Sequence, residues 1–166
     1  MDKITKKQVS SNMCFICGTK NFAGLNTRFY ETEKGEVACI FTPRQEHQSY
    51  PGRLHGGVSA AILDELIGRA VIIKEPDTWG VTCELNIKYK KPVPLDIPLK
   101  AIGRITDVNR RLFKAEGEIY LPNGEIAVIA SGLYMKLPVE KIVEGTDAKI
   151  EEEVYTVENE NDPEYI

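Results

Sequence analysis

Two clusters of residues in this 166-residue chain have the types and spacing that chemistry requires. The first opens with His55-Gly56-Gly57 and continues through small and apolar residues to the adjacent acids Asp64 and Glu65. Two glycines at a helix start leave backbone N–H groups open at the positive end of the dipole, where an anion or developing oxyanion can bind. On a helical wheel, Glu65 has Arg69 four residues later, an ordinary i,i+4 ion pair that accounts for both. Asp64 has only Ala60, Ala61, Ile67, Gly68 and Val71 at helical neighbour positions, so no cation lies in reach. An unpaired buried carboxylate is costly; it is usually hydrogen-bonded, neutralised or functional. A structural aspartate bonded to a neighbour's backbone is the bland reading. The glycine pair two and a half turns earlier favours the functional one.

The second cluster is Cys14-Phe15-Ile16-Cys17. One CxxC is half a zinc site, and no second pair or HxxxH stands at ligand spacing. A redox motif wants a strand before it and a helix after it, and TKNFAGL does not read as a helix. A compact turn holding two semi-buried thiols is therefore expected, with no catalytic metal. His47, in the loop RQEHQSYPGRL, is a further acid/base candidate, although loop histidines are more often merely solvated.

The elements that must position these residues follow from periodicity. Val58 to Lys74 carries apolar or small side chains on nearly every side, which predicts a helix covered all round. Leu25–Tyr30 and Val37–Thr42 read as strands joined by a turn at Glu33-Lys34-Gly35. After the helix, Val81, Cys83, Leu85, Ile87 and Tyr89 alternate with polar residues, the cleanest strand in the chain. Ile97–Val108, Leu112–Leu121 and Ile126–Leu137 follow, the last two joined by Pro122-Asn123-Gly124. Two strands, one long helix, then strands alone argue an α+β fold, an antiparallel sheet curled around one helix. A single sheet covers one side of such a helix; a partner subunit is expected to cover the other.

The chain is long enough for one domain that buries about 70% of its unfolded surface. We divide it into a polar N-terminal extension (1–12, a short helix or a fraying end), the domain (13–138) and a tail (139–166). The tail holds ten acids and two lysines, a charge of −8 against +4 for the rest, and reads as a solvated, mobile extension. A pI of about 5.3 and the lack of a basic stripe with aromatics argue against nucleic-acid binding. No window approaches the ~20 apolar residues that span a membrane, and no signal-peptide core is present. Cys39 and Cys83 fall inside apolar strand patterns, so the four cysteines form no framework and a reducing cytoplasm is expected.

HGGVSAAILDELIGRA (55–70), VTCELNIKYKKPVPL (81–95) and GEIYLPNGEIAVIASGLYMKL (117–137) together resemble the hotdog-fold acyl-CoA thioesterases of the phenylacetic-acid-degradation type. The resemblance covers about residues 24–137 and implies thioester hydrolysis. It casts Asp64 as general base or nucleophile. The Gly56 N–H, with Gly57, would be the oxyanion donor, Thr82 the group that positions the water or carboxylate, and His55 the residue that orients the glycine loop. It also implies a homodimer or dimer of dimers, with acid and oxyanion donor on different subunits. No cofactor is implied beyond the coenzyme A of the substrate. Gln48 and Ser49 occupy the loop position where some relatives carry Asn. Plain strand alternation would put Thr82 on the face away from the core; a bulge or a neighbouring subunit would have to bring it to Asp64. Lys88, Lys90 and Lys91 with Arg110 and Arg111 either meet the coenzyme A phosphates or simply discourage edge pairing. A hydratase using His47 or His55 with Asp64, and a non-catalytic acyl-CoA binder, are the alternative readings.

Overall fold

Helix α1, Gly56–Gly68, is where the sheet's curvature converges. Its residues Ile62, Leu63, Leu66 and Ile67 are completely buried in this computed structural model, which describes residues 1–158 and 161–166. Full burial of each such side chain contributes about 1.5–3 kcal/mol. The face pressed on the sheet meets glycines: a Cβ on Gly117 would stand 2.7 Å from Ile67, and one on its strand partner Gly103 would stand 3.0 Å away. That glycine pair lets the helix sit closer than any other residues there would allow. A 3-10 segment, Arg69–Ile73, continues the helix and completes the span expected from the sequence.

The sheet is formed by β1 (Ile4–Lys7), β3 (Arg28–Thr32), β4 (Val37–Phe41), β5 (Trp79–Tyr89), β6 (Leu99–Val108), β7 (Leu112–Tyr120) and β8 (Ile126–Leu137). Its order is β1-β3-β4-β6-β7-β8-β5, and all its pairings are antiparallel. This is the hotdog arrangement, an α+β antiparallel sheet wrapped around one long helix, as the periodicity predicts. β5, directly after the helix, is an outer strand: it pairs with β8 on one side only. Much of its length is solvent-exposed.

Both chain ends depart from expectation. Residues 1–12 neither form a helix nor fray; β1 extends the sheet, and β2 (Ser10–Ser11) pairs with β9 (Val154–Tyr155). The acidic tail begins with a helical turn, α2 (Val139–Ile142), continues through α3 (Ile150–Glu153) and then returns to the body. Asp162 accepts from Lys7 at 2.6 Å and from the Tyr30 hydroxyl at 2.8 Å. Asp2 and Ile166 exchange backbone hydrogen bonds, and Ile166 is buried beside Tyr30 and Ala38. The tail is held by backbone pairing and charge, neither of which produces apolar periodicity, so hydropathy patterning cannot reveal it. The part of the tail at 159–160 lies outside the described residues.

Candidate active site

The Asp64 carboxylate is not unpartnered. Its Oδ1 accepts hydrogen bonds from the Thr82 hydroxyl and the Tyr134 hydroxyl, each at 2.9 Å, and no hydrogen bond within the described residues engages Oδ2. Thr82 reaches it because the register of β5 against β8 shifts between Thr82 and Glu84, leaving Cys83 as an extra residue. Before the bulge Gly80 and Thr82 face the helix; after it Leu85 and Ile87 pack on the core, and the Tyr89 hydroxyl donates to the Gly56 carbonyl at 2.7 Å. The alternation expected from the sequence is therefore broken at Cys83, which is exposed rather than inward.

Tyr134 is the site residue the sequence reading missed. It is completely buried, stacked on Phe113 at 5.0 Å, and occupies space left by Gly68 and Gly132, where a Cβ would meet its ring at 3.1 and 2.6 Å. Burial first, and then the Asp64 charge, push its phenol well above the usual range, so it stays a donor. A signal was available: Val128, Ala130 and Tyr134 share the buried face of β8, and a buried tyrosine needs a partner for its hydroxyl. A cleft of about 100 Å³ lies against Asp64, Gly68, Trp79, Gly80, Thr82 and Tyr134, room for a few waters.

At the other end of the helix, His55 is the N-cap and its Nδ1 accepts from the Gly57 N–H at 2.9 Å. The Gly57 donor is thus occupied. The Gly56 N–H has no acceptor among the described residues. Asp64 and Gly56 stand eight residues apart on one helix, a separation of about 12 Å. One carbonyl cannot contact both within a single chain.

Other expected residues are placed as follows. His47 is buried, with Nδ1 accepting from the Arg44 N–H and Nε2 on the Ala23 carbonyl, so both nitrogens are committed to structure and the acid/base reading of it fails. Gln48 Oε1 accepts from the Gly52 N–H and shapes the exposed loop that also carries Ser49. The basic residues do not form one patch. Lys88 pairs with Ile129 near the start of β8, whereas the Arg111 carbonyl accepts from the Lys136 N–H near its end. At ~3.3 Å per residue the two groups stand roughly 20 Å apart. Lys91 is paired with Glu125.

The Glu65–Arg69 pair is also more than a surface contact. Arg69 is 4% exposed; it donates to Glu65 Oε1 from Nε at 2.9 Å and Nη2 at 2.7 Å, to the Val9 carbonyl at 2.8 Å and to Cys17 Sγ at 3.2 Å. Cys14 and Cys17 form the compact turn expected, but beside this pair: donor atoms of Cys14, Cys17 and Glu65 lie within 4.8 Å of one another. The third potential metal donor was invisible in spacing, since it comes from the helix.

The sequence pattern of the thioesterase superfamily matches residues 51–128, which span α1, β5, β6, β7 and the start of β8. Over that stretch, just under half of its length, the chain carries the thioesterase superfamily's pattern. Acyl-coenzyme A thioesterase THEM4 of Bos taurus is 27% identical over 149 residues, covering 83% of this chain and 57% of that protein. Human acyl-coenzyme A thioesterase 13 is 34% identical over 61 residues, covering 37% of this chain and 44% of that one. The chain spans about half the length of the curated relatives it matches. Among solved structures, a Bacillus halodurans protein determined with CoA is 29% identical with a TM-score of 0.55, covering 60% of this chain and 66% of that chain. A Haemophilus influenzae thioesterase aligns with a TM-score of 0.65 at 15% identity over 74% of this chain and 86% of its own, a likeness of fold alone.

Proposed function

We propose that this chain is a member of the thioesterase superfamily that hydrolyses acyl-CoA thioesters, in the manner of the phenylacetic-acid-degradation branch. The observation that carries the reading is the Asp64 carboxylate: one oxygen is fixed by two hydroxyl donors, the other has no hydrogen bond among the described residues, and the residue lines a cleft. Thr82 and Tyr134 set the carboxylate's orientation. Oδ2 then takes the proton of an attacking water, or itself attacks the thioester carbonyl. As the carbonyl oxygen gains charge, an open helix N-terminal N–H stabilises it, and the tetrahedral intermediate collapses by expelling the coenzyme A thiolate. Named relatives that are acyl-CoA thioesterases, and a related structure determined with CoA, support this substrate class.

The ~12 Å between Asp64 and Gly56 in one chain supports a homodimer or dimer of dimers, in which the N–H comes from the helix of a second copy. The unpaired outer edge of β5 and the half-buried Val58, Ala60 and Ala61 on α1 support the same assembly. Lys88 and Lys90 extend from the end of β5 whose Tyr89 touches Gly56, a position suited to the coenzyme A phosphates. No helix among the described residues is long and apolar enough to cross a membrane. The four thiols are all free, which supports a reducing, cytoplasmic setting. Release of free thiol across aryl-, short- and long-chain acyl-CoAs tests the activity, and sedimentation tests the assembly. Failure to release thiol from any of them by a dimeric protein would leave the non-catalytic binder in its place.

A further inference from the structure

The thioesterase reading makes no use of Cys14 and Cys17. Their sequence is a CxxC, and the Gly18 N–H donates to the Cys14 carbonyl, which closes one helical turn around the pair. Cys14 Sγ accepts from the N–H groups of Ile16 and Cys17, each at 3.3 Å, at the start of that turn. Cys17 Sγ faces inward, 3.2 Å from the Arg69 guanidinium and 3.9 Å from the Ser11 hydroxyl. Cys14 is half-buried whereas Cys17 is 1% exposed, so Cys14 is the more accessible of the two and Cys17 sits against the buried cation. Both sulfurs are surrounded by hydrogen-bond donors, an environment for a shared negative charge rather than for two inert thiols. In keeping with this, the Cys14 thiol, together with the Arg69 charge, holds Cys17 down to about 7 against its burial, while Cys14 is pushed up.

We infer that Cys14 and Cys17 are a redox dithiol, a modification site that low-molecular-weight disulfides oxidise to an intramolecular bridge. The pair holds one proton between two sulfurs. At rest that proton is on Cys14; the Cys17 thiolate takes it as the more accessible Cys14 sulfur attacks one sulfur of the oxidant disulfide, so that a bond forms, the oxidant's S–S bond breaks, and one thiolate leaves. Cys17 then gives up its proton and attacks Cys14 Sγ, expelling the second small thiolate. Two protein thiols lose two electrons and two protons, and one small disulfide is reduced to two thiols. The sulfurs already lie within 4.8 Å, so local closure of the turn brings them to bonding distance.

A metal is the competing use of the same atoms, since Cys14, Cys17 and Glu65 offer three donors. Arg69 argues against it: its guanidinium already bonds Cys17 and Glu65, two of the three, and supplies the positive charge a metal would bring. Arg69 also ties the site to the candidate active site. Oxidation removes the negative sulfur from the cation that positions Glu65, the residue next to Asp64.

The test uses the full chain carrying Cys83→Ser, which removes the exposed thiol on β5. The protein is equilibrated in buffers of varying reduced and oxidised glutathione, acid-quenched, alkylated with a maleimide and mapped by mass spectrometry. The expected result is a Cys14–Cys17 disulfide that replaces both alkylated thiols in a single two-electron step. In the same background, Cys17→Ser should trap Cys14 as its glutathione adduct, because the resolving sulfur is gone. Stable glutathione adducts with no internal bridge in the chain that keeps both cysteines would overturn the proposal. So would thiols that stay reduced throughout, or stoichiometric zinc that protects both until it is chelated. The readout is chemical and does not depend on the thioesterase reading.

Discussion

Replacing Glu65 by glutamine separates a helix-surface ion pair from a buried one. On an exposed helix an i,i+4 pair is worth about 0.2–0.5 kcal/mol. Here Glu65 Oε1 takes two donors from an Arg69 that is 4% exposed and also stacked 4.5 Å from the Phe29 ring. Breaking a buried pair by removing one charge costs about 3–5 kcal/mol when nothing compensates. The amide of Glu65→Gln would keep an oxygen for the guanidinium, and the Val9 carbonyl and Cys17 sulfur remain as acceptors. We therefore expect a loss of about 1–3 kcal/mol, below the uncompensated figure. For a chain of this size that lowers Tm by roughly 2–10 °C. Glu65 does not touch either Asp64 oxygen, so thiol release at 25 °C should stay within about threefold of the parent. Thermal melts and thiol-release rates on the same preparations decide the matter. A variant that melts within a degree of the parent would refute the buried-network account of Arg69. One that melts normally and loses turnover would move the catalytic acid to Glu65.

Three further outcomes are expected. Tyr134→Phe keeps the ring against Phe113 but removes one of two hydroxyl bonds to Asp64; at about 1.5–3 kcal/mol for a bond to a charged group, kcat should fall roughly 10- to 100-fold with the fold intact. Ile166→Ala should cost about 2 kcal/mol in urea unfolding, because that side chain is buried against Tyr30; no loss would restore the mobile-tail reading. Cys17, lowered from 9.0 to about 7 in the fold, binds fewer protons folded than unfolded, so its contribution is present above pH 9 and lost as pH falls through 7. Between pH 7 and 9 the parent should therefore gain stability relative to Cys17→Ser, and parallel curves would contradict the assignment.

What could be read in the sequence was what repeats with a period. The helix, the six strands from residue 28 to 137 and the acid on the helix face all follow from apolar spacing. The bulge at Cys83 could not be read, because an inserted residue leaves no mark in a list of alternating side chains, and it alone decides that Thr82 faces Asp64. Tyr134 was missed for a related reason: as an aromatic on a buried strand face it passes for core, and only the hydroxyl's need for a partner marks it as polar. The burial of Arg69 depends on residues 9, 17 and 29 closing over it, contacts between segments 40 to 60 residues apart that helical spacing does not encode. The docked tail is of the same kind, fixed by Asp162 and backbone pairing to the first strand.

The central claim is that the Oδ2 of Asp64 does the chemistry. Asp64→Asn keeps the side chain's size and an oxygen for the Thr82 and Tyr134 hydroxyls, but it removes the base. The decisive measurement is the rate of free-thiol release from the best acyl-CoA substrate by this variant and by the parent. We predict a kcat lower by at least about 10²–10⁴-fold, with a melting temperature close to the parent's. An Asp64→Asn protein that folds normally and releases thiol at the parent's rate would contradict the account.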